Sequence, residues 1–225
     1  MSVVERRAAR NPARLRGARQ ARGWAPASIL GWLCILAGLA LIAWTAAELG
    51  LGYWHEQQLD SRWQQQLKEH PAPAVPAEPA TDQVPGPVDG VAFAIRVPKI
   101  GYYHAVQEGV DSAVLLSGPG HYPGTAWPGR PGNVGVAAHN TYWIKFGDLR
   151  AHDEVQLETR WGTYRYEVTE MRIVQPSDRT ILVQTPERRI TLTTCWPLWA
   201  GAFAQQRLVI FADQFSPAPP GQRGT

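Results

Sequence analysis

The chain has 225 residues, a net charge of +3 and 44% hydrophobic residues, room for one domain of moderate size plus appendages. It holds only two cysteines, Cys34 and Cys195, which excludes a disulfide-built scaffold. No phosphate-cradling glycine loop and no dinucleotide fingerprint is present, because the glycines between 118 and 135 are spaced as turns.

Residues 1–23 form an Arg-rich tail, with Arg6, Arg7, Arg10, Arg14, Arg16, Arg19 and Arg22 against the single acid Glu5. Such a run fits a nucleic-acid arm, but the apolar stretch after it points to a membrane. From Trp24 to Ala47 there is no charged residue. As a helix at ~1.5 Å per residue this stretch covers about 36 Å, enough for a bilayer core of about 30 Å. Trp24, Trp32, Trp44, Tyr53 and Trp54 include candidates for the interfacial belts. Ala46-Ala47-Glu48 makes a poor cleavage site, which favours a retained anchor over 24–50 rather than a signal peptide. The Arg excess places the N-terminus in the cytoplasm and the remainder outside the cell membrane, in contact with membrane lipid and with no nucleic-acid partner. Cys34 then packs within the span, and Cys195 is the lone thiol of the outer part.

Residues 51–90 read as a juxtamembrane helix and a Pro-rich stalk. Leu59, Trp63 and Leu67 recur every four residues in a Gln-rich setting, a sparse apolar stripe that reads as a solvated stalk or as a short homotypic contact. Six prolines between Pro71 and Pro87 predict an extended, largely polyproline II connection.

The folded part is expected over 91–215, with residues 216–225 a disordered tail. Strands are predicted at Ala92–Val97, His104–Gly109, Asn133–His139, Glu154–Arg160, Gly162–Val174, Arg189–Cys195 and Arg207–Phe215. Asp111 is placed to cap a short helix through Leu116, and Asn140–Leu149 reads as a helical turn. Seven or so short strands with little helix indicate an all-β barrel or sandwich.

In Arg189–Pro197, Ile190, Leu192 and Thr194 alternate with Thr191, Thr193 and Cys195, and Pro197 ends the strand. Cys195 therefore stands at a strand end. If the strand beginning at Arg207 pairs back, its guanidinium comes beside the thiol and favours the reactive thiolate. Taken alone, Cys195 reads as a small core residue and Arg207 as a strand-end surface charge. His104, His121 and His152 lack ligand spacing and are assigned surface or loop roles, and Asp148, Asp153 and Glu154 a solvated turn. No metal or cofactor is expected.

Thr-Leu-Thr-Thr-Cys at 191–195, Ala-Ala-His at 137–139 and the strand-start Arg207 resemble the Cys–His–Arg set of the sortases, membrane-anchored cysteine transpeptidases of bacterial surfaces. The segment Gly118–Ala126, with Pro128-Gly129 and Gly132-Asn133, is similar to the approach to the catalytic histidine in class E and class D sortases. Together these motifs cover about Phe93 to Gln214. The resemblance implies a closed, mostly antiparallel β-barrel of about eight strands with short helices, behind one N-terminal transmembrane helix. It implies that Cys195 cleaves a C-terminal LPXTG- or LAXTG-like sorting signal between Thr and Gly. A Cys thioester then passes to an amine of a cell-wall precursor or of a pilin subunit. His139 is implied as general acid and base, and Arg207 as oxyanion and substrate support. Tyr122, Thr194 and Trp196 are the candidate substrate contacts, with packing in a Pro-rich loop the alternative for Tyr122. Ala138, Asn140 and Trp196 stand where the family commonly has Gly, Arg and, in class E, His. Pro197–Gln206, with Leu198, Trp199 and Phe203, is a candidate wall of the peptide groove. The competing functions are a hydrolase that releases the cleaved protein to water and a non-catalytic barrel that binds surface peptides.

Overall fold

A computed structural model describes residues 26–74, 76 and 86–217. The Arg-rich tail, Trp24, most of the Pro-rich stretch and nearly all of the expected C-terminal tail lie outside the described residues. The chain forms two compact units, residues 1–46 and 47–225. Helix α1 (Pro26–Glu69) supplies the described part of the first unit and opens the second. In the first unit its large apolar side chains, among them Leu30, Leu33, Leu36 and Trp44, are exposed. This helix is long and apolar enough to cross a bilayer and is the candidate membrane anchor.

The second unit is a closed β-barrel of eight strands. They are β1 (Phe93–Val97), β2 (Tyr102–Glu108), β3 (Gly120–His121) and β4 (Gly132–Ala137), then β5 (Glu154–Thr159), β6 (Gly162–Val174), β7 (Arg188–Trp196) and β8 (Gln206–Ser216). Around the barrel the order is β1-β2-β3-β4-β7-β8-β6-β5. The β2–β3 and β4–β7 pairs are parallel and the other six are antiparallel. Alternating apolar residues of these strands, including Phe93, Ile95, Val136, Leu157, Ile190, Leu192 and Ile210, fill the interior. The short helix α2 (Ser112–Leu116) starts where Asp111 accepts hydrogen bonds from the Ala113 and Val114 amides.

The strand missing from the sequence reading is β3. Two residues in a Gly/Pro-rich stretch carry no periodicity, and only pairing to β2 and β4 defines the strand. The expected helical turn after His139 is a 3-10 turn over Ile144–Asp148, preceded by Trp143. Trp143 and Phe146 stack at 4.3 Å in the core and anchor this segment.

The solvated stalk is corrected. Leu59 and Trp63 are buried against Val91, Ala94 and Ala105, with Leu67 packed at the edge. The Trp63 indole donates to Tyr103 Oη at 3.1 Å. The apolar stripe is real, but it covers the outer face of β1 and β2 rather than meeting solvent or a second copy. His121 is a second correction. It is fully buried, its Nδ1 2.7 Å from Glu108 Oε2 and its Nε2 3.0 Å from the Ala126 carbonyl.

Candidate active site

Three strand ends meet at one end of the barrel. β7 lies between β4 and β8. The last β4–β7 register pair is Ala137 with Thr193, and the Ala138 amide still donates to the Thr193 carbonyl at 3.2 Å. Two residues further along the chain are His139, just past the end of β4, and Cys195, still within β7. On the other side, Cys195 pairs directly with Arg207 across β7 and β8.

Cys195 is half-buried, and Arg207 Nη1 stands 3.0 Å from its sulfur. A guanidinium donor at that distance stabilises negative charge on the sulfur and on an adjacent oxyanion. His139 is half-buried. Burial first, and then the positive charge of Arg207, hold its imidazole below the ordinary value of 6.5. The neutral ring is therefore favoured, and the Arg207 charge that lowers it is the one that contacts the thiol. Its backbone is fixed where its carbonyl accepts from the Tyr142 and Trp143 amides.

The period of two along β7 sorts its threonines. Ile190 and Leu192 enter the core, and Thr194 shares their side, 3% exposed and with its Oγ1 making no hydrogen bond. Thr193 stands on the side of Cys195, and its Oγ1 is 2.9 Å from Tyr122 Oη. Tyr122 in turn lies over β4 at Gly135, where an added Cβ would come within 2.8 Å of its ring. Tyr122 is thus held across the outer faces of β4 and β7, next to the strand ends. Trp196 is half-buried and packs against the core. The connection from β7 to β8 buries Leu198 and exposes Trp199 (83%) and Phe203 (88%). A groove lined by Gln175, Trp196, Pro197, Phe203, Gln205 and Gln206 runs beside it.

The sequence reading does not single out Thr193 or Asn140 for a role at this end. Asn140 is 2% exposed, and its Nδ2 donates to the Gly201 carbonyl at 3.2 Å and the Pro197 carbonyl at 3.4 Å. It ties the loop after Cys195 to the residue after His139. The available signals are the period of two for Thr193 and, for Asn140, its place next to the histidine.

Among the described residues no three His, Cys, Asp or Glu side chains converge as metal ligands. Asp153 pairs with Lys99 at 2.8 Å, and Glu154 pairs with Arg165.

The sortase-domain family model matches residues 95–215, more than half of the chain. The chain belongs to the sortase family. Sortases are cysteine transpeptidases that act on surface proteins. Sortase D of Bacillus subtilis (strain 168) is 28% identical over 190 residues, covering 78% of this chain and 96% of its own. Sortase A of Listeria monocytogenes is 29% identical over 112 residues, 48% of this chain and 50% of its own. The Clostridium perfringens Sortase D5 transpeptidase superposes with a TM-score of 0.57 at 25% identity, covering 71% of this chain and 98% of that one. Sortase C-1 of Actinomyces oris superposes with a TM-score of 0.52 at 26% identity, covering 56% and 75%. In this sortase the closed barrel brings the Cys, His and Arg of the sequence motifs to one end.

Proposed function

We propose that Cys195, His139 and Arg207 cleave an LPXTG- or LAXTG-like sorting signal between Thr and Gly and transfer the Thr carbonyl to an amine of the cell surface. The observation that carries this reading is the 3.0 Å contact from Arg207 Nη1 to Cys195 Sγ. The thiol proton passes to neutral His139, and the thiolate attacks the Thr carbonyl carbon. The carbonyl oxygen becomes an oxyanion facing the Arg207 guanidinium. His139 returns its proton to the leaving Gly nitrogen, the C–N bond breaks and a thioester to Thr remains. An amine then attacks the thioester, His139 takes its proton, and the C–S bond breaks to restore Cys195. The amine comes from a cell-wall precursor or a pilin lysine.

Tyr122, Trp196 and Thr194 are the substrate-side residues of this proposal. Trp196 borders the groove, Tyr122 stands over β4 and β7 next to the strand ends, and Thr194 supports the strand from within. The catalytic part is 91–215, carried outside the cell by an N-in anchor at 24–50 and the 51–90 segment.

The test is incubation of the full-length protein in detergent with a Leu-Ala-x-Thr-Gly peptide, with and without a glycine amine. Mass spectrometry should find the peptide acyl group on Cys195 and, with amine present, the transferred product. Acylation followed only by hydrolysis would establish the hydrolase instead. No acylation with either Leu-Ala-x-Thr-Gly or Leu-Pro-x-Thr-Gly peptide would leave a peptide-binding barrel.

A further inference from the structure

A pocket on the flank of the catalytic end holds a carboxylate that the chain leaves without hydrogen bonds. It encloses about 620 Å³ including its open mouth, between the start of β2, the second half of α1 and the segment after His139. Its walls include Glu56, Tyr102, His104, Thr141, Tyr142 and Lys145.

Glu56 is 4% exposed, yet its Oε1 makes no hydrogen bond. The nearest donor is His104 Nδ1 at 3.3 Å, but that nitrogen lies closer, at 2.9 Å, to Asp60 Oδ2. The other Asp60 oxygen accepts from the Ala105 amide at 2.7 Å. One imidazole N–H thus serves two carboxylates. A buried carboxylate short of donors is costly unless a cation reaches it. Burial first pushes the Glu56 carboxyl up, His104 pulls it down and Asp60 pushes it up, as expected of an acid short of positive charge. Lys145 lines the pocket from an exposed position and makes no ion pair among those described.

Strand register locates the pocket. Gln107, Gly120, Ala137 and Thr193 stand level across β2, β3, β4 and β7. His104 is three residues beyond that level, and His139 and Cys195 are two residues beyond it, all toward the same end. β2 is two strand spacings from β4 and three from β7, about 10 and 14 Å at ~4.8 Å each. A flexible chain that seats one end at Glu56 therefore reaches the thioester with the other. No metal-binding cluster forms there, and one open carboxylate with a phenol-lined wall suits an ammonium better than a divalent ion.

We propose that this pocket is the docking subsite for the acyl acceptor and selects amines that carry a second ammonium group: one ammonium rests on Glu56 while the distant amine attacks the Cys195 thioester. This inference rests on the transpeptidase reading. Glu56 is the anchoring residue, and Thr141 and Tyr142 line the side nearest His139.

The test uses full-length protein in detergent micelles and two probes of one length, 1,8-diaminooctane and 8-amino-1-octanol, which differ only in the second ammonium. Calorimetry without peptide should show the diamine binding one site at least about tenfold more tightly. In Glu56→Gln that preference should vanish, provided the variant melts cooperatively. Where it does not, Thr141→Arg, which sets a cation at the pocket mouth and leaves Glu56 in place, should remove the preference. As acceptors for a cleaved sorting peptide, the diamine should show the lower KM by a similar factor. Equal binding of the two probes, a preference that survives the variants, or equal acceptor KM values overturns the subsite. Failure to cleave any sorting peptide sinks the transpeptidase reading instead, and the calorimetric comparison then decides the pocket by itself.

Discussion

Arg207 and Cys195 are Cα partners across β7 and β8, and the Arg207 Nη1 lies 3.0 Å from the Cys195 sulfur. A backbone register therefore sets the contact. Each side chain starts from a strand position that the barrel holds in place, and the guanidinium needs no loop motion to face the thiol.

Lysine in place of Arg207 keeps the charge and loses the planar fork of donors, so Arg207→Lys should be nearly as damaging as Arg207→Ala. Loss of an oxyanion donor typically costs about 10²–10³ in turnover. The measurement is sorting-peptide cleavage by variants with unchanged melting curves. An Arg207→Ala protein within a few-fold of wild type would make Arg207 a strand-end charge.

Cys195 is half-buried in the barrel unit, and Cys34 is in the apolar segment. A membrane-impermeant methanethiosulfonate added to intact protoplasts should label Cys195 alone, and activity should be lost with the label. Labelling only after lysis would reverse the proposed topology. Absence of label in both cases would mean that the thiol is closed to solvent in the folded protein.

His139 carries a pH signature. Burial and the Arg207 charge both lower its pKa from 6.5. The neutral imidazole is thereby favoured, so the acid limb of kcat/KM, where His139 gains its extra proton, should lie below pH 6.5. In Arg207→Ala the second cause disappears and the first remains. The His139 NMR titration should move up toward 6.5 without passing it. A titration that does not move would show that the two side chains do not share a site.

Trp63 has no exposed surface and joins α1 to β1 and β2. Trp63→Ala should cost about 3–5 kcal/mol. At about 2–4 °C per kcal/mol for a domain of this size, the melting temperature should fall by about 10 °C. A fragment beginning at residue 91 should show a comparable deficit against one beginning at 51. A Trp63→Ala melt within about 2 °C of wild type would mean that the helix does not stay docked in solution.

Elements whose cause is local are legible in the chain. The uncharged run from Trp24 to Ala47 announces an apolar helix because length and hydropathy suffice for that. Alternation marks β7, and Pro197 ends it because proline has no ladder donor. Asp111 caps α2 through its own neighbours. Even Cys195, His139 and Arg207 are legible as three strand-end residues. The Cys195–Arg207 pair follows from two successive strands, but bringing His139 to it is another matter, because that requires β7 to lie beside β4, a pairing of segments more than 50 residues apart that no local pattern encodes. For the same reason the Leu59–Trp63 stripe shows an apolar face without naming its partner, which is the outer surface of β1 and β2. β3 exists only through its neighbours. His121 lies buried because Glu108, Thr125 and the Ala126 carbonyl surround it. Glu56 becomes a carboxylate short of donors only when helix and barrel close around it. Periodicity and turn chemistry act over a few residues and are written in the chain, whereas burial and the company of charges arise only when distant segments pack.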